Sequence, residues 1–288
     1  MPNKNYLKNG RVLPNFFSIG VMRGGSTWLY EILKNHPDIY LCSYHKETHF
    51  FSRYYYKGLN WYSRFFPKIN EAKKYKIIGE IAPTYYFQKH VPNLILKYIP
   101  KARFILILRN PVNRAFSEYK YHKLNLGFNY SFEHYLKKYP YIIRIGLYSK
   151  YLKNWFESFP RSSFLILIFE EVMKDPLNAL KIISKFLDID FNRIDKINLT
   201  QTVNPSSFPR FPKLYELSYW FFNFFLLIGF YRLTRIFSKL KPWFYLFGEK
   251  KDDEKMNISF KDQLYLKYKE DIEELEKLLK RDLSIWKI

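Results

Sequence analysis

Cysteine is almost absent from this chain of 288 residues, in which Cys42 is the single example. One cysteine cannot form a disulfide within the chain or build a cysteine-rich metal cluster. The six histidines show no convincing metal-binding spacing. His45 and His49 have the separation of a zinc-binding helix, but the residues between them are Lys, Glu and Thr and do not fit that pattern. We therefore expect no bound metal.

Long apolar runs are absent too. Residues 1–15 are polar, so we expect no signal peptide or anchor there and a flexible segment instead. The most apolar stretch, residues 219–231, is shorter than the ~20 residues that span a bilayer, and we interpret it as a buried helix. The alternative is a helix lying in a membrane interface, which the cations after it favour: Arg232, Arg235, Lys239 and Lys241. These features predict a cytoplasmic protein, with peripheral contact at the inner face of an anionic membrane as the alternative.

Acidic residues are scarce: 26 Asp and Glu stand against 48 Lys and Arg, which gives a formal net charge of +22. Such a charge favours anionic partners such as nucleotides, nucleic acids, acidic glycans or lipid head groups, without choosing among them. No nucleic-acid-binding motif is visible, so we expect no nucleic-acid partner. Apolar residues make up 48% of the chain, enough for a folded core. With no Gly/Ser linker or repeat, the sequence predicts a single domain over residues 1–288.

Strand and helix patterns alternate along the chain. Strands are predicted in residues 16–22, 76–87, 103–109 and 163–172. The continuous apolar runs of the last two are typical of parallel strands buried on both faces. Helices are predicted after the first strand with Ser26 or Thr27 as cap, after Val91, from Pro111, after Tyr148, and near the end, where one face carries Ile272, Leu275, Leu278, Leu279 and Leu283. This order predicts an α/β fold: an open parallel sheet with helices on both faces.

The turn after the first strand nearly matches a nucleotide-phosphate loop. Gly20 and Gly25 have the spacing of G-x-x-x-x-G-K-[ST], but Ser26 stands where the lysine belongs, and Arg23 lies inside the loop. Backbone N–H groups in such a turn hold an anion, whereas the lysine serves the β and γ phosphates of a triphosphate. We therefore expect a 5′-phosphate joined to a group other than phosphate, with Arg23 neutralising the second anion. The strand 103–109 ends in an arginine and offers no carboxylate to a metal ion. Glu170 and Glu171, in the predicted strand 163–172, keep a metal-binding carboxylate as an alternative.

Four segments carry a family resemblance: "SIGVMRGGSTWLYEILKNHPDIYL", "KETHFF", "GEIAPTYYF" and "RFILILRNPVNRAFSEY". In this order they resemble the motifs of sulfotransferases that use 3′-phosphoadenylyl sulfate (PAPS), most of all the carbohydrate branch that includes heparan sulfate sulfotransferases. The likeness extends over nearly the whole chain. It implies a P-loop-like fold, PAPS as sulfo donor, PAP as product, no required metal, and a hydroxyl on a carbohydrate or glycoconjugate as acceptor.

The resemblance also implies roles for single residues. The loop for the 5′-phosphosulfate corresponds to Arg23, Gly24, Gly25, Ser26 and Thr27, followed by Trp28. The pair that binds the 3′-phosphate corresponds to Arg109 and Ser117, and the loop that closes over the cofactor contains Arg210. The general base corresponds to Glu47, with His49 beside it. Without the family, Glu47 reads as a surface carboxylate paired with Lys46.

Two departures from the family pattern keep alternatives open. Arg23 stands where many glycan sulfotransferases have lysine and protein-tyrosine sulfotransferases have arginine, and Ile81 stands where some heparan enzymes have lysine. A tyrosine or lipid sulfotransferase is therefore an alternative. More remote alternatives are a nucleotide kinase or NTPase with a degenerate loop, and a basic adaptor that binds membranes or nucleic acid by charge. If His49 were the base, the rate would rise near pH ~6 to 7, whereas an ordinary carboxylate base is already ionised there.

Overall fold

The structure is a computed structural model, and it describes residues 7, 9–42, 46–126, 128, 130–194, 217, 220, 221, 224 and 254–287. The predicted cofactor-closing residue Arg210 lies outside these residues, as do His45 and most of the apolar stretch 219–231.

A five-stranded parallel sheet forms the centre, in the order β2-β3-β1-β4-β5. Its strands are β1 (Phe16–Gly20), β2 (Ile39–Leu41), β3 (Ile77–Ile81), β4 (Arg103–Leu108) and β5 (Phe164–Ile168). The middle strand β1 pairs with β3 on one side and with β4 on the other. The chain forms β2 and β3 on one side of β1 before it crosses to β4 and β5 on the other side. The loops after β1 and β4 therefore diverge at the carboxyl edge of the sheet. Sheets of this kind bind ligands at that point.

Helices cover both faces of the sheet. They are α1 (Ser26–Leu33), α2 (Gly58–Tyr62), α3 (Ile69–Ala72), α4 (Val91–Tyr98), α5 (Pro111–Leu126), α6 (Phe132–Lys138), α7 (Tyr141–Arg144), α8 (Tyr148–Ser158), α9 (Phe169–Lys174), α10 (Pro176–Leu187) and α11 (Ile258–Leu279). Side chains of β4 alternate between two apolar cores. Ile105 and Ile107 pack with α1 and α10, whereas Phe104, Leu106 and Leu108 pack with α4, α5, α8 and α11. The predicted α/β sheet with two helical layers is confirmed.

Several predicted details were wrong. The predicted strand 163–172 is a strand only to Ile168, and a helix begins at Phe169. The N-cap of α1 is Gly25, which has a left-handed backbone conformation (φ 98°) and makes no capping hydrogen bond through a side chain. Ser26 is therefore already the first helical residue. Leu283 is buried but lies beyond α11, which ends at Leu279. Strand β2 was not predicted.

Two expectations about the periphery disagree with individual residues that the structure describes. Within the N-terminal segment expected to be flexible, Val12 and Leu13 are 0% and 2% exposed and belong to the larger core. In the stretch interpreted as a buried helix, the described residues Trp220, Phe221 and Phe224 are exposed, so the burial interpretation is wrong for these three. Across the described ranges, no helix has the length and apolarity needed to cross a membrane.

Candidate functional site

The glycine loop (residues 20–25) turns sharply between β1 and α1. Arg23 and Gly25 have positive φ angles of 63° and 98°, which place both residues in the left-handed region. A Cβ on Gly24 would lie 2.5 Å from the carbonyl oxygen of Ile107, so only glycine fits between the loop and β4. The first N–H groups of α1 have no partner within the helix, and α1 begins directly after the loop that follows β1. The loop therefore keeps the form of an anion cradle.

Ser26 and Thr27 begin α1, as the loop prediction requires, but Trp28 plays a different part. Its side chain is 4% exposed and belongs to the core beneath α1. Since the indole is packed inside, Trp28 can contribute to a ligand site only through its backbone N–H. The predicted role of Trp28 in cofactor binding therefore concerns its backbone.

Arg23 joins the glycine loop to the helix after β4. Its Nε donates to Ser117 Oγ at 3.2 Å, and its guanidinium carbon lies 4.6 Å from the centre of the Tyr121 ring. The carbonyl oxygen of Arg23 accepts a hydrogen bond from Arg109 Nη1 at 3.0 Å. The structure thus brings together Arg23, Arg109 and Ser117, which the sequence assigned to two separate anion sites.

The end of β4 is held rigidly. The hydroxyl of Tyr148 donates to the carbonyl oxygen of Arg109 at 2.8 Å, and the Arg109 guanidinium lies 4.6 Å from the Phe169 ring centre. Asn110 caps α5 by accepting from the N–H groups of Val112 and Asn113 through Oδ1. The position of Arg109 is therefore set by its neighbours before any ligand arrives.

The C-terminal segment also fixes this junction. Asn110 Nδ2 donates to the carbonyl oxygen of Trp286 at 3.0 Å, and Trp286 Nε1 donates to Glu170 Oε2 at 2.9 Å. Glu170 Oε1 in turn accepts from the N–H of Asn110 at 3.0 Å. The other carboxylate of the pair, Glu171, is bound to Arg281. Both carboxylates that were left open for a metal are therefore engaged by protein groups, and no cluster of three metal-ligating residues occurs within the described ranges.

A buried carboxylate, Glu80 on β3, holds the segment that carries Glu47. Glu80 Oε1 accepts from the N–H and the hydroxyl of Thr48 at 2.7 and 2.5 Å. The hydroxyls of Tyr62 and Tyr85 also donate to this carboxylate. Because Thr48 lies between Glu47 and His49, this network positions both candidate bases.

Glu47 has the electrostatics of a general base. Burial raises the pKa of its carboxyl to about 7, with Glu80 adding to the rise and Lys46 opposing it. Its Oε2 has no hydrogen-bond partner within the described part of the chain. A base whose pKa lies near neutrality combines a large ionised fraction with a strong affinity for the proton.

His49 is a weaker candidate for the base. Burial, aided by the charge of Arg53, lowers the pKa of its imidazole to about 4. Its Nε2 lies 3.8 Å from Glu47 Oε2, but a neutral imidazole forms no ion pair there. Its Nδ1 lies 3.5 Å from the hydroxyl of Thr84. The imidazole is therefore a neutral neighbour of the Glu47 carboxyl.

Lys46 is a site residue that the sequence did not single out. Its Nζ donates to Ser26 Oγ at 2.9 Å and to Thr27 Oγ1 at 3.1 Å, so it reaches the first turn of α1 from the segment after β2. Glu80 was also missed. The signal for Glu80 was a charged residue within an otherwise apolar strand, and the signal for Lys46 was its place beside Glu47.

The Glu80 network gives a prediction about stability. We expect Glu80→Ala to lower the free energy of unfolding by about 3–5 kcal/mol, because it leaves the buried donors of Thr48, Tyr62 and Tyr85 without their acceptor. Denaturant unfolding measures this change. Glu80→Gln keeps the shape and one accepting oxygen, so its loss should be smaller. An alanine variant as stable as the wild type would contradict the network.

Comparisons with known proteins identify a family that the chain matches. The family model described as "Sulfotransferase domain" matches residues 13–217. The chain is 33% identical over 187 residues to heparan sulfate glucosamine 3-O-sulfotransferase 6 of Mus musculus, covering 62% of this chain and 53% of that protein. It is 31% identical over 191 residues to the 3-O-sulfotransferase 3A1 of the same organism, covering 63% and 47%. The chain thus spans about half the length of the curated relatives it matches.

A solved structure shares the fold over almost the whole chain. The crystal structure of a sulfotransferase from Alicyclobacillus acidocaldarius superposes with a TM-score of 0.69, covering 96% of this chain and 99% of that one. Its sequence identity is 23%, so the likeness concerns the fold alone.

Proposed function

The chain belongs to the sulfotransferase domain family, and from that membership we propose that it transfers a sulfo group from PAPS to a hydroxyl group on a carbohydrate. One observation carries the proposal: the hydrogen bond from Arg23 to Ser117 joins the glycine loop to α5. Between them these elements offer cations and donors to two anionic groups of one ligand. A nucleotide with phosphates at both its 3′ and 5′ positions meets that requirement.

The residues present fit such a donor. The close packing of Gly24 against the carbonyl oxygen of Ile107, which a Cβ would prevent, fixes the loop backbone beside the end of β4. The N–H groups of Gly25, Ser26 and Thr27 are suited to the 5′-phosphosulfate, since a helix N-terminus attracts anions. Arg109 and Ser117 are suited to the 3′-phosphate, because an arginine fork and a hydroxyl bind one dianion together. PAPS supplies an activated sulfo group, and PAP is what remains after transfer.

Glu47 is the proposed general base. Its carboxylate takes the proton of the acceptor hydroxyl while the acceptor oxygen bonds to sulfur. The bond from sulfur to the 5′-phosphate oxygen breaks, and its electron pair stays on PAP. The loop N–H groups and the nearby cations stabilise the charge that collects there. Glu80 and Thr48 hold Glu47 in position for this step.

A glycan is the proposed class of acceptor. The curated relatives are named for the glucosamine of heparan sulfate. At position 81, where some heparan enzymes have a lysine, this chain has an isoleucine that is 1% exposed and packs in the core. Ile81 therefore offers no cation to an acceptor, and any contact with anionic groups of a glycan has to come from other residues. Tyrosine and lipid hydroxyls are the alternatives.

Mass spectrometry tests the proposal directly. The protein is incubated with PAPS and separate pools of glycans, tyrosine peptides and glycolipids, and each pool is searched for the gain of about 80 daltons that one sulfo group brings. We expect the gain in the glycan pool, and none with PAPS omitted. Transfer only to peptides or lipids would change the acceptor class. Hydrolysis of ATP with Mg²⁺, and no transfer from PAPS, would favour the NTPase alternative.

A further inference from the structure

Arg114 on α5 is a charged side chain enclosed in the interior of the protein. It is 0% exposed, and its Nη2 donates to the carbonyl oxygen of Ile142 on α7 at 2.5 Å. Its Nε and Nη1 form no hydrogen bond of standard geometry within the described part of the chain. Buried N–H groups of a guanidinium are costly without acceptors, so these donors require partners.

Other buried polar atoms lie around this guanidinium. Among the described residues, the hydroxyl of Tyr86 and Oε2 of Glu118 have no hydrogen-bond partner. The hydroxyl of Tyr268 interacts with Arg114 but forms no hydrogen bond of standard geometry. Burial opposes the charge of Arg114, but the neighbouring tyrosines and Glu118 outweigh burial and raise the pKa of the guanidinium. Arg114 therefore stays charged within a group of polar atoms that are incompletely bonded.

The charges in this group are balanced. Glu118 lies one helical turn after Arg114 and acts on it with the opposite charge. Because the carboxylate compensates the cation, the group does not require a second anion. Its unbonded atoms include donors on the guanidinium and acceptors on the carboxylate and the hydroxyls. Water is the small neutral molecule that serves both kinds, so the group is suited to ordered internal water.

Tyr148 connects this group to the proposed 3′-phosphate site. Its buried hydroxyl donates to the carbonyl oxygen of Arg109 at 2.8 Å, and the charge of Arg114 acts on the same hydroxyl. A hydroxyl has a single proton, whereas a guanidinium has only donors. The charge of Arg114 therefore favours the orientation in which the hydroxyl oxygen faces the guanidinium and the proton points to Arg109.

We propose that Arg114 is a positioning residue for Arg109, and that ordered water completes its hydrogen bonds to the neighbouring hydroxyls and carboxylate. The inference rests on the proposed function and goes beyond it by adding a buried residue behind the donor site. Arg114 holds α7 through its bond to Ile142, and it directs the proton of Tyr148 through its charge. Both effects keep the end of β4 where Arg109 meets the 3′-phosphate.

Calorimetry with PAP and AMP measures this role, since only PAP carries the 3′-phosphate. Arg114→Met should weaken PAP about tenfold and leave AMP nearly unchanged, because part of a charge-assisted contact is lost when Arg109 is displaced. Arg11→Met is the matched control. It removes a similar bond, from Arg11 Nη1 to the carbonyl oxygen of Phe66, and should leave both affinities unchanged.

A double-mutant cycle separates positioning from a direct action of the charge. Tyr148→Phe should itself lower the preference for PAP over AMP, since it removes the bond to the carbonyl oxygen of Arg109. If Arg114 acts through Tyr148, adding Arg114→Met to Tyr148→Phe should lower that preference no further. A full additional loss would mean that Arg114 acts by its charge alone, and would overturn the positioning role.

Arg114→Lys enters the same cycle if Arg114→Met fails to fold. Lysine keeps the charge but presents one nitrogen instead of three, so the preference for PAP should fall by a smaller factor. This smaller loss should also disappear in the Tyr148→Phe background. Persistence of the loss in that background would overturn the positioning role in the same way.

A high-resolution crystal structure tests the water. We expect an ordered water molecule within hydrogen-bond distance of Arg114 Nε or Nη1 and of a tyrosine hydroxyl. Tyr268→Phe removes one of these hydroxyls, so the water should be lost or less ordered in that variant. A dry interior, or a halide ion in place of water, would overturn the hydration of this group.

Failure of this inference is distinguishable from failure of the proposed function. A wild-type protein that binds PAP no more tightly than AMP would overturn the proposed function itself. A wild type that prefers PAP, combined with a folded Arg114→Met variant that keeps the full preference, would overturn only the role of Arg114.

Discussion

Replacement of Glu47 by glutamine is expected to lower kcat by about two to four orders of magnitude while PAP still binds. The amide keeps the shape of the side chain but cannot accept the proton of the acceptor hydroxyl. Steady-state sulfo transfer and PAP calorimetry measure the two quantities separately. Glu71→Gln, an exposed carboxylate on α3, is the matched control and should keep full activity. A Glu47→Gln enzyme with normal turnover would direct attention to His49.

The pH profile identifies the base more sharply than the rate alone. Because burial raises the pKa of Glu47 to about 7, its carboxylate forms only as the pH rises through neutrality, and kcat should rise with it. His49, whose pKa is lowered to about 4, is already neutral there. A rise in kcat near pH ~6 to 7 therefore indicates Glu47, whereas the criterion taken from the sequence assigned such a rise to a histidine. The inflection should persist in His49→Asn and disappear in Glu47→Gln.

The second large effect is expected at Arg109. Arg109→Ala should weaken PAP about tenfold to a hundredfold and leave AMP nearly unchanged, because the proposed contact with the 3′-phosphate is charge-assisted and its geometry is preset. The preset geometry comes from the bond to the carbonyl oxygen of Arg23 and the stacking on Phe169. Calorimetry with both nucleotides measures the difference.

Controls for Arg109 come from the same strand and the same site. Arg103→Ala, at the other end of β4, removes a bond to the carbonyl oxygen of Phe186 and should leave both affinities unchanged. Ser117→Ala removes one neutral donor and should weaken PAP less than Arg109→Ala does. Equal losses for PAP and AMP in Arg109→Ala would remove this arginine from the 3′-phosphate site.

The sheet was predictable because its strands carry local signals. Strand β4 is a continuous apolar run, since helices cover both of its faces, and Pro111 marks the start of the helix that follows. Strand β2 was not predicted because its three residues are too few to show an apolar pattern. The cap of α1 was misassigned because Ser26 is favoured by side-chain preference, whereas the left-handed Gly25 satisfies the turn through its backbone.

The candidate site was predictable in composition more than in geometry. The order of the motifs identified Glu47, Arg109 and Ser117 as candidate site residues. No local pattern, however, indicates that the Arg23 side chain turns toward α5 or that Lys46 reaches α1, since both contacts join segments far apart in sequence. The pKa values of Glu47 and His49 depend in the same way on packing, which sets how much water each group retains.

The bonds of Trp286 to Asn110 and Glu170 have a consequence for how the protein is made. The junction that orients Arg109 is closed by a residue that the ribosome adds 176 positions after Asn110, so a nascent chain cannot complete it while residues beyond α11 are still inside the exit tunnel. Binding that depends on the completed junction should therefore begin only after the segment that carries Trp286 has emerged. A nucleotide that binds only the completed junction would then stabilise chains in which Trp286 has docked, and chains in which it has not would gain nothing from it.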